Sequence, residues 1–223
     1  MVKSSVYKLL AMVNYRWKIQ LWSMFKGERV LGIVPARGGS KRLPGKNSTI
    51  IDGKPLLGWT LEAGINSRFV DKLILSTDDQ VIGDIGRRFG ADEVLPRPAL
   101  LAGNEAPMNA VIKQVVETLE ARNDYYGYLL LLQPTSPLRS ARYIDEAFDL
   151  ITEKGAVGVI SVCQTEHPLE WMGKLSTDWF LDSFFQQTKL DKQSQEFPTS
   201  YQINGAIYIV PTDRFLKEQT LFL

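Results

Sequence analysis

The sequence predicts an α/β protein, a three-layer and mostly parallel sheet with helices on both faces. Short, nearly continuous apolar runs, such as "RVLGIVP" from Arg29 and "YGYLLLLQ" from Tyr126, suit strands covered on both sides. Segments with apolar residues at helical spacing alternate with them, as βαβ units require. At 223 residues the chain is long enough to bury a substantial core as one domain.

Taken in order, "RVLGIVP" is the first buried strand, and a Gly- and Lys/Arg-rich loop follows it. "GKPLLGWTLEAGINS" is a helix opening near Pro55, a residue tolerated in a first turn. "VDKLILST" is a strand and "DDQVIGDIGRRFGA" a helix stopped by Gly90. "PMNAVIKQVVETLEAR" sets Met108, Val111, Ile112, Val115, Val116 and Leu119 on one helical stripe. "YGYLLLLQ" is a strand, "SARYIDEAFDLITEKG" a helix ended by Gly155, and "AVGVISV" and "NGAIYIV" are further strands. Residues 163–202 read as an irregular, polar and aromatic arm. In such sheets ligands bind beyond the carboxyl ends of the strands, so the loops after Pro35, Leu75 and Leu132 matter most.

A net charge of +1 gives no sign of a nucleic-acid partner. The charge is uneven, however. Residues 1–26 hold Lys3, Lys8, Arg16, Lys18 and Lys26 without an acid, leaving the remainder at −4. That segment reads as a basic amphipathic extension over residues 1–28, either a membrane- or partner-facing helix or a leader outside the domain that starts at Arg29. The leader reading is favoured, and membrane contact is not expected. A single cysteine, Cys163, excludes an internal disulfide framework and suits the cytoplasm. It reads as a small buried apolar residue at a strand end. A single histidine, His167, excludes a multi-histidine metal site and reads as structural.

The loop Arg37–Asn47, "RGGSKRLPGKN", carries the chemistry. Gly38 and Gly39 let backbone amides face an anion, and Arg37, Lys41, Arg42 and Lys46 supply charge for phosphate oxygens. The spacing matches neither a P-loop nor a dinucleotide fingerprint. A basic loop alone is as readily a solvated turn; its place after the first buried strand points to phosphate. Asp78 and Asp79 suit the first turn of a helix better than a metal. Thr135 and Ser136 fit a site role and a turn or cap equally.

"IVPARGGSKRLPGKN", "GKPLLGWT", "LILSTDD", "RPALLA", "LLLLQPTSPLR", "EHPLEWM" and "YQINGAIYI" follow in order from about Val30 to Val210. This series resembles the CMP-N-acylneuraminate synthetases, cytidylyltransferases that activate sialic and related nonulosonic acids. "QPTSPLR" is more similar to the sialic and legionaminic branch than to the pseudaminic one. The resemblance implies a Rossmann-like nucleotidyltransferase sheet and a homodimer whose arm, about residues 163–202, interlocks with its partner. It implies CTP and a nine-carbon 2-keto acid sugar as substrates, with Mg²⁺ as cofactor. By position, Arg37, Gly38, Gly39, Ser40 and Lys41 would cradle the triphosphate. Arg37 and Lys46 would stabilise charge at the α-phosphate, while Asn47 and Arg97 would contact the nucleotide. Gln133, Thr135, Ser136 and Asn204 would contact the sugar, with Asn204 opening the last strand onto the same cleft.

Three departures from the family pattern stand beside this. Ser194 lies where the family has an arginine, with Lys192 or Lys189 as substitutes only if the loop shifts. Asn104, Ala106 and Met108 replace an acid and small hydroxyl residues, and a Met cannot donate a hydrogen bond. No aspartate pair of the family's metal-binding kind follows Val210, so the chain reads as C-terminally incomplete, with apolar surface exposed near Phe215 and Phe222. The alternatives are a non-catalytic nucleotide-binding remnant of the fold, or a cytidylyltransferase for another 2-keto acid sugar such as 3-deoxy-manno-octulosonate or pseudaminic acid.

Overall fold

The computed structural model describes residues 24–40, 43–103, 105–185 and 192–223. Expectations for residues 1–23, Lys41, Arg42, Asn104 and Lys189 lie outside them.

Four strands run parallel side by side: β1 (Val30–Pro35), β4 (Lys72–Thr77), β5 (Glu93–Pro96) and β6 (Tyr128–Leu131). A small hairpin, β2 (Ile50–Ile51) and β3 (Lys54–Pro55), lies between β1 and the first helix. Two further strands, β7 (Val159–Gln164) and β8 (Tyr201–Pro211), complete a six-stranded sheet in the order β5-β4-β1-β6-β8-β7. β8 runs antiparallel to both its neighbours. The mostly parallel sheet is therefore present, with one reversed strand that apolar runs alone do not betray.

Period-two alternation divides the sheet between two cores. Val30, Val34, Leu73, Leu75, Leu130 and Leu132 face one side. There they pack with residues of α1 (Leu56–Asn66), α2 (Gln80–Arg88) and α5 (Ala141–Lys154). Leu31, Ile33, Ile74, Leu95, Leu129 and Leu131 face the other, packing with α4 (Met108–Glu120) and α7 (Thr212–Glu218). Two short helices, α3 (Ala99–Ala102) and α6 (Asp182–Phe185), lie in connections. Asp79 caps α2 by accepting the Ile82 amide at 2.9 Å, the helix role its position suggests.

Several boundaries differ from the sequence reading. The packed region begins before Arg29, because Phe25 is buried against Phe69, Tyr128 and Phe148. Phe215 is fully buried in the second core rather than exposed, whereas Phe222 is exposed. β8 starts at Tyr201, so Asn204 sits within it and does not open it. Cys163 is half-buried within β7, with the Gln202 amide donating to its sulfur at 3.7 Å.

Candidate active site

Because β1, β4, β5 and β6 are parallel, their carboxyl ends share one edge of the sheet. β1 lies in the middle, with β4 on one side and β6 on the other, which is the switch point where such sheets bind ligands. A cleft of about 290 Å³ opens there. Arg37, Lys46 and Asn47 enter it from the loop after β1, Arg97 from the end of β5, and Gln133 and Thr135 from the end of β6. Leu101, Gly103, Ala106 and Met108 close the remaining wall.

The loop after β1 is held by its own contacts. Arg37 Nη1 donates to the Gly103 carbonyl at 2.9 Å, tying the loop to the connection after α3. Asn47 is 3% exposed, and its Nδ2 donates to the Arg37 carbonyl at 3.1 Å, while its Oδ1 has no protein partner. The Asn47 carbonyl also accepts the Leu57 amide at 3.1 Å, so the loop is pinned to the start of α1. Gly38 donates its amide to Asp78 Oδ1 at 3.0 Å. A Cβ at Gly38 would lie 2.7 Å from Asp79 Oδ2, so the loop approaches α2 as only glycine allows. Gly39 has open space around it and no such need.

Arg97 is 8% exposed and donates to Ser76, from Nε to the hydroxyl at 3.3 Å and from Nη2 to the carbonyl at 2.9 Å. Burial draws its pKa down; Asp78 opposes this, and the like charge of Arg37 adds to it. The cleft thus keeps two neighbouring cations poorly compensated, an arrangement that favours an anionic ligand.

The same pattern of sequence and fold is found in known proteins. A family model described as cytidylyltransferase matches residues 31–209. The chain belongs to the cytidylyltransferase family. It is accordingly a nucleotidyltransferase. Among curated relatives, it is 35% identical over 195 residues to the N-acylneuraminate cytidylyltransferase of Escherichia coli, covering 87% of this chain and 45% of that one. It is 30% identical to the CMP-N,N'-diacetyllegionaminic acid synthase of Legionella pneumophila, covering 87% and 83%. It is 29% identical to the pseudaminic acid cytidylyltransferase of Campylobacter jejuni, covering 86% and 82%. Among solved structures, CMP:2-keto-3-deoxy-manno-octonic acid synthetase superposes with a TM-score of 0.63 at 18% identity, covering 86% and 77%. That likeness supports the Rossmann-like nucleotidyltransferase fold.

Within this cytidylyltransferase, the residues expected to act together are only partly gathered. Arg37, Lys46, Asn47, Arg97, Gln133 and Thr135 line the one cleft. Ser136 and Asn204 line a neighbouring cavity of about 680 Å³, which shares Thr135 with the first. Asn204 is therefore not among the residues that line the first cleft. Its Oδ1 accepts from the Ser161 hydroxyl at 2.7 Å and from the Ala206 amide at 3.0 Å. Ser194 lies exposed in a single 3₁₀ turn, Ser194–Glu196.

Among the described residues, no group of three or more His, Cys, Asp or Glu side chains could hold a metal ion. The two carboxylates beside the loop are engaged, Asp78 with Gly38 and Asp79 with the cap of α2.

Arg139 was not among the residues singled out by the motif, although it ends "QPTSPLR". It is buried at 6% exposure, and burial pushes its pKa down to about 10. Besides the nearby Gln133 carbonyl, it bonds that of Ala206 in β8, 67 residues away in sequence, which local pattern cannot reveal.

Proposed function

We propose that the chain transfers CMP from CTP to the anomeric hydroxyl of a sialic-type nonulosonic acid, releasing pyrophosphate. The observation that carries this reading is the convergence of Arg37, Lys46, Asn47, Arg97 and Gln133 on one cleft from separate strand ends. Arg37 and Lys46 neutralise charge as the sugar oxygen attacks the α-phosphate, and Gly38, Gly39, Ser40 and Lys41 cradle the rest of the triphosphate. Asn47 and Arg97 hold the nucleoside portion. Gln133 and Thr135 orient the sugar acid, with Ser136 and Asn204 along the adjoining cavity. No covalent enzyme intermediate is needed, because positioning and charge stabilisation suffice. Mg²⁺ would accompany the triphosphate and share its charge.

The relatives are named for three different acids at 29–35% identity, and all three belong in the substrate panel. A homodimer fits the exposed apolar side chains Leu138, Val162, Trp179, Phe180, Tyr201 and Ile203 on and beside the arm. The proposed setting is the cytoplasm. Incubation with CTP, Mg²⁺ and a panel of nonulosonic acids should release pyrophosphate with at least one of them. CTP binding without release with any acid would replace the reading with a nucleotide-binding remnant, which the non-donating Met108 in the cleft wall favours.

A further inference from the structure

Arg139 holds an uncommon position for a cation. Its guanidinium is buried, and burial is the influence that lowers its pKa, with no carboxylate offsetting it. Its Nη1 donates to two carbonyls at once, Gln133 at 3.2 Å and Ala206 at 2.7 Å, while Nε and Nη2 have no partner. A fully buried charge left without an acid is costly, so a long apolar side chain would serve packing better. What the guanidinium achieves is a bridge. It ties the loop that leaves β6 to the stretch of β8 just beyond their paired residues, where Leu131 faces Tyr208.

Gly205 completes the arrangement from the other side. Its φ of +75° belongs to the left-handed region, and a Cβ there would lie 2.8 Å from Gln133 Oε1. The Gln133 side chain therefore rests directly on the glycine backbone, while its main-chain carbonyl is held by Arg139. Gln133 in turn lines the cleft.

We propose that Arg139 and Gly205 are a positioning pair that fixes the Gln133 amide at the mouth of the cleft for the sugar acid. The proposal rests on the reading of Gln133 as a sugar-acid contact. Arg139 touches no substrate; it acts by holding the backbone of the residue that does. The pair should therefore govern the acid substrate and leave CTP alone, since Arg37, Asn47 and Arg97 are held by separate contacts.

The test compares Arg139→Met, Arg139→Lys and Gly205→Ala with the unaltered chain. In steady-state pyrophosphate release, Arg139→Met should raise KM for the acid about tenfold or more and leave KM for CTP within about twofold. Arg139→Lys keeps a buried donor and should recover part of the loss. Gly205→Ala should mimic the Met variant by displacing Gln133. The second readout needs no turnover: the Gln133 side-chain amide signals in an NMR spectrum, assigned by their loss in Gln133→Ala. They should be a single sharp pair in the unaltered chain and shift or broaden in the Met and Ala variants, while CTP still perturbs Asn47. If no acid supports pyrophosphate release, the functional reading fails and the NMR readout alone decides the pair. Should Arg139→Met not fold, the Lys and Gly205 variants decide. Folded variants whose Gln133 signals and acid KM both match the unaltered chain overturn the proposal, as would equal losses for CTP and the acid.

Discussion

Asp78 Oδ1 accepts the Gly38 amide at 3.0 Å, so a carboxylate occupies a backbone donor of the loop proposed to hold phosphate. The same carboxylate bears on the buried Arg97 and partly offsets its charge. In the proposed CTP complex this carboxylate would be a like charge beside the phosphates.

Asp78→Asn keeps an oxygen for the Gly38 amide and removes the charge. Its CTP affinity should rise about two- to fivefold at low salt, the scale of an exposed charge interaction of a few tenths to 1 kcal/mol. The gain should fade toward about 1 M salt, where the screening length is only about 3 Å. Calorimetric titration at both salt levels checks this. Weaker binding by the variant at low salt would show the loop contact to matter more than the charge.

Arg97→Met should separate stability from binding. The guanidinium is buried with no carboxylate bonded to it, and the Ser76 carbonyl it bonds also accepts the Ala36 amide at 3.0 Å. Its loss leaves that carbonyl satisfied and removes a desolvated charge. Thermal unfolding should therefore change by no more than about 1 kcal/mol, in either direction. CTP binding should weaken at least about tenfold, because a charge-assisted contact to the nucleotide is gone. A variant that unfolds outright, or one that binds CTP normally, contradicts this role.

Legibility in the sequence followed the range of the forces involved. β1, β4 and β6 announced themselves because burial on both faces demands apolar residues throughout. The Asp79 cap and the loop after β1 were also local features, a polar residue before a helix and glycines among cations. β5 escaped because four residues, Glu93–Pro96, with Leu95 alone buried, carry no period to detect. The reversed direction of β8 escaped because apolar residues look alike in parallel and antiparallel strands. The division of the predicted sugar residues between two cavities, and the burial of Arg139, depend on how β8 meets the end of β6. That is a tertiary contact with no local trace.

At the opposite edge of the sheet, Asp124 joins Arg29 at 2.7 Å and Lys72 at 3.1 Å, and accepts the Tyr126 hydroxyl at 3.0 Å. Burial alone would raise its carboxyl; hydrogen bonds from Arg29, Lys72 and Tyr126 outweigh that and hold it below the usual range. A carboxylate depressed in the folded state stabilises it fully above the unfolded value of about 4. That contribution drains away as pH falls through the lower folded value. Asp124→Asn should cost about 1–2 kcal/mol at neutral pH, allowing for partial exposure. The deficit should shrink as unfolding is measured at progressively lower pH below about 4, with CTP affinity unchanged at neutral pH. A deficit that stays constant into acid would mean that packing, not charge, sustains it.

Phe25 offers a test of where the folded unit begins. The ring is 3% exposed and meets Tyr128 at 4.9 Å and Phe148 at 4.8 Å between centroids, both edge-on, with Phe69 at 5.6 Å. Edge-on pairs add to the burial of an aromatic ring, and no polar group is lost when it is truncated. Phe25→Ala should therefore destabilise the fold by about 3–5 kcal/mol through lost transfer energy and the cavity left behind. The ring lies beyond the amino end of β1, away from the cleft at its carboxyl end, so CTP affinity measured well below the melting transition should stay the same. Chemical denaturation with a fluorescence readout measures the first quantity and calorimetry the second. A stability change under about 1 kcal/mol would place the start of the domain at Arg29 after all, with Phe25 merely lying on it.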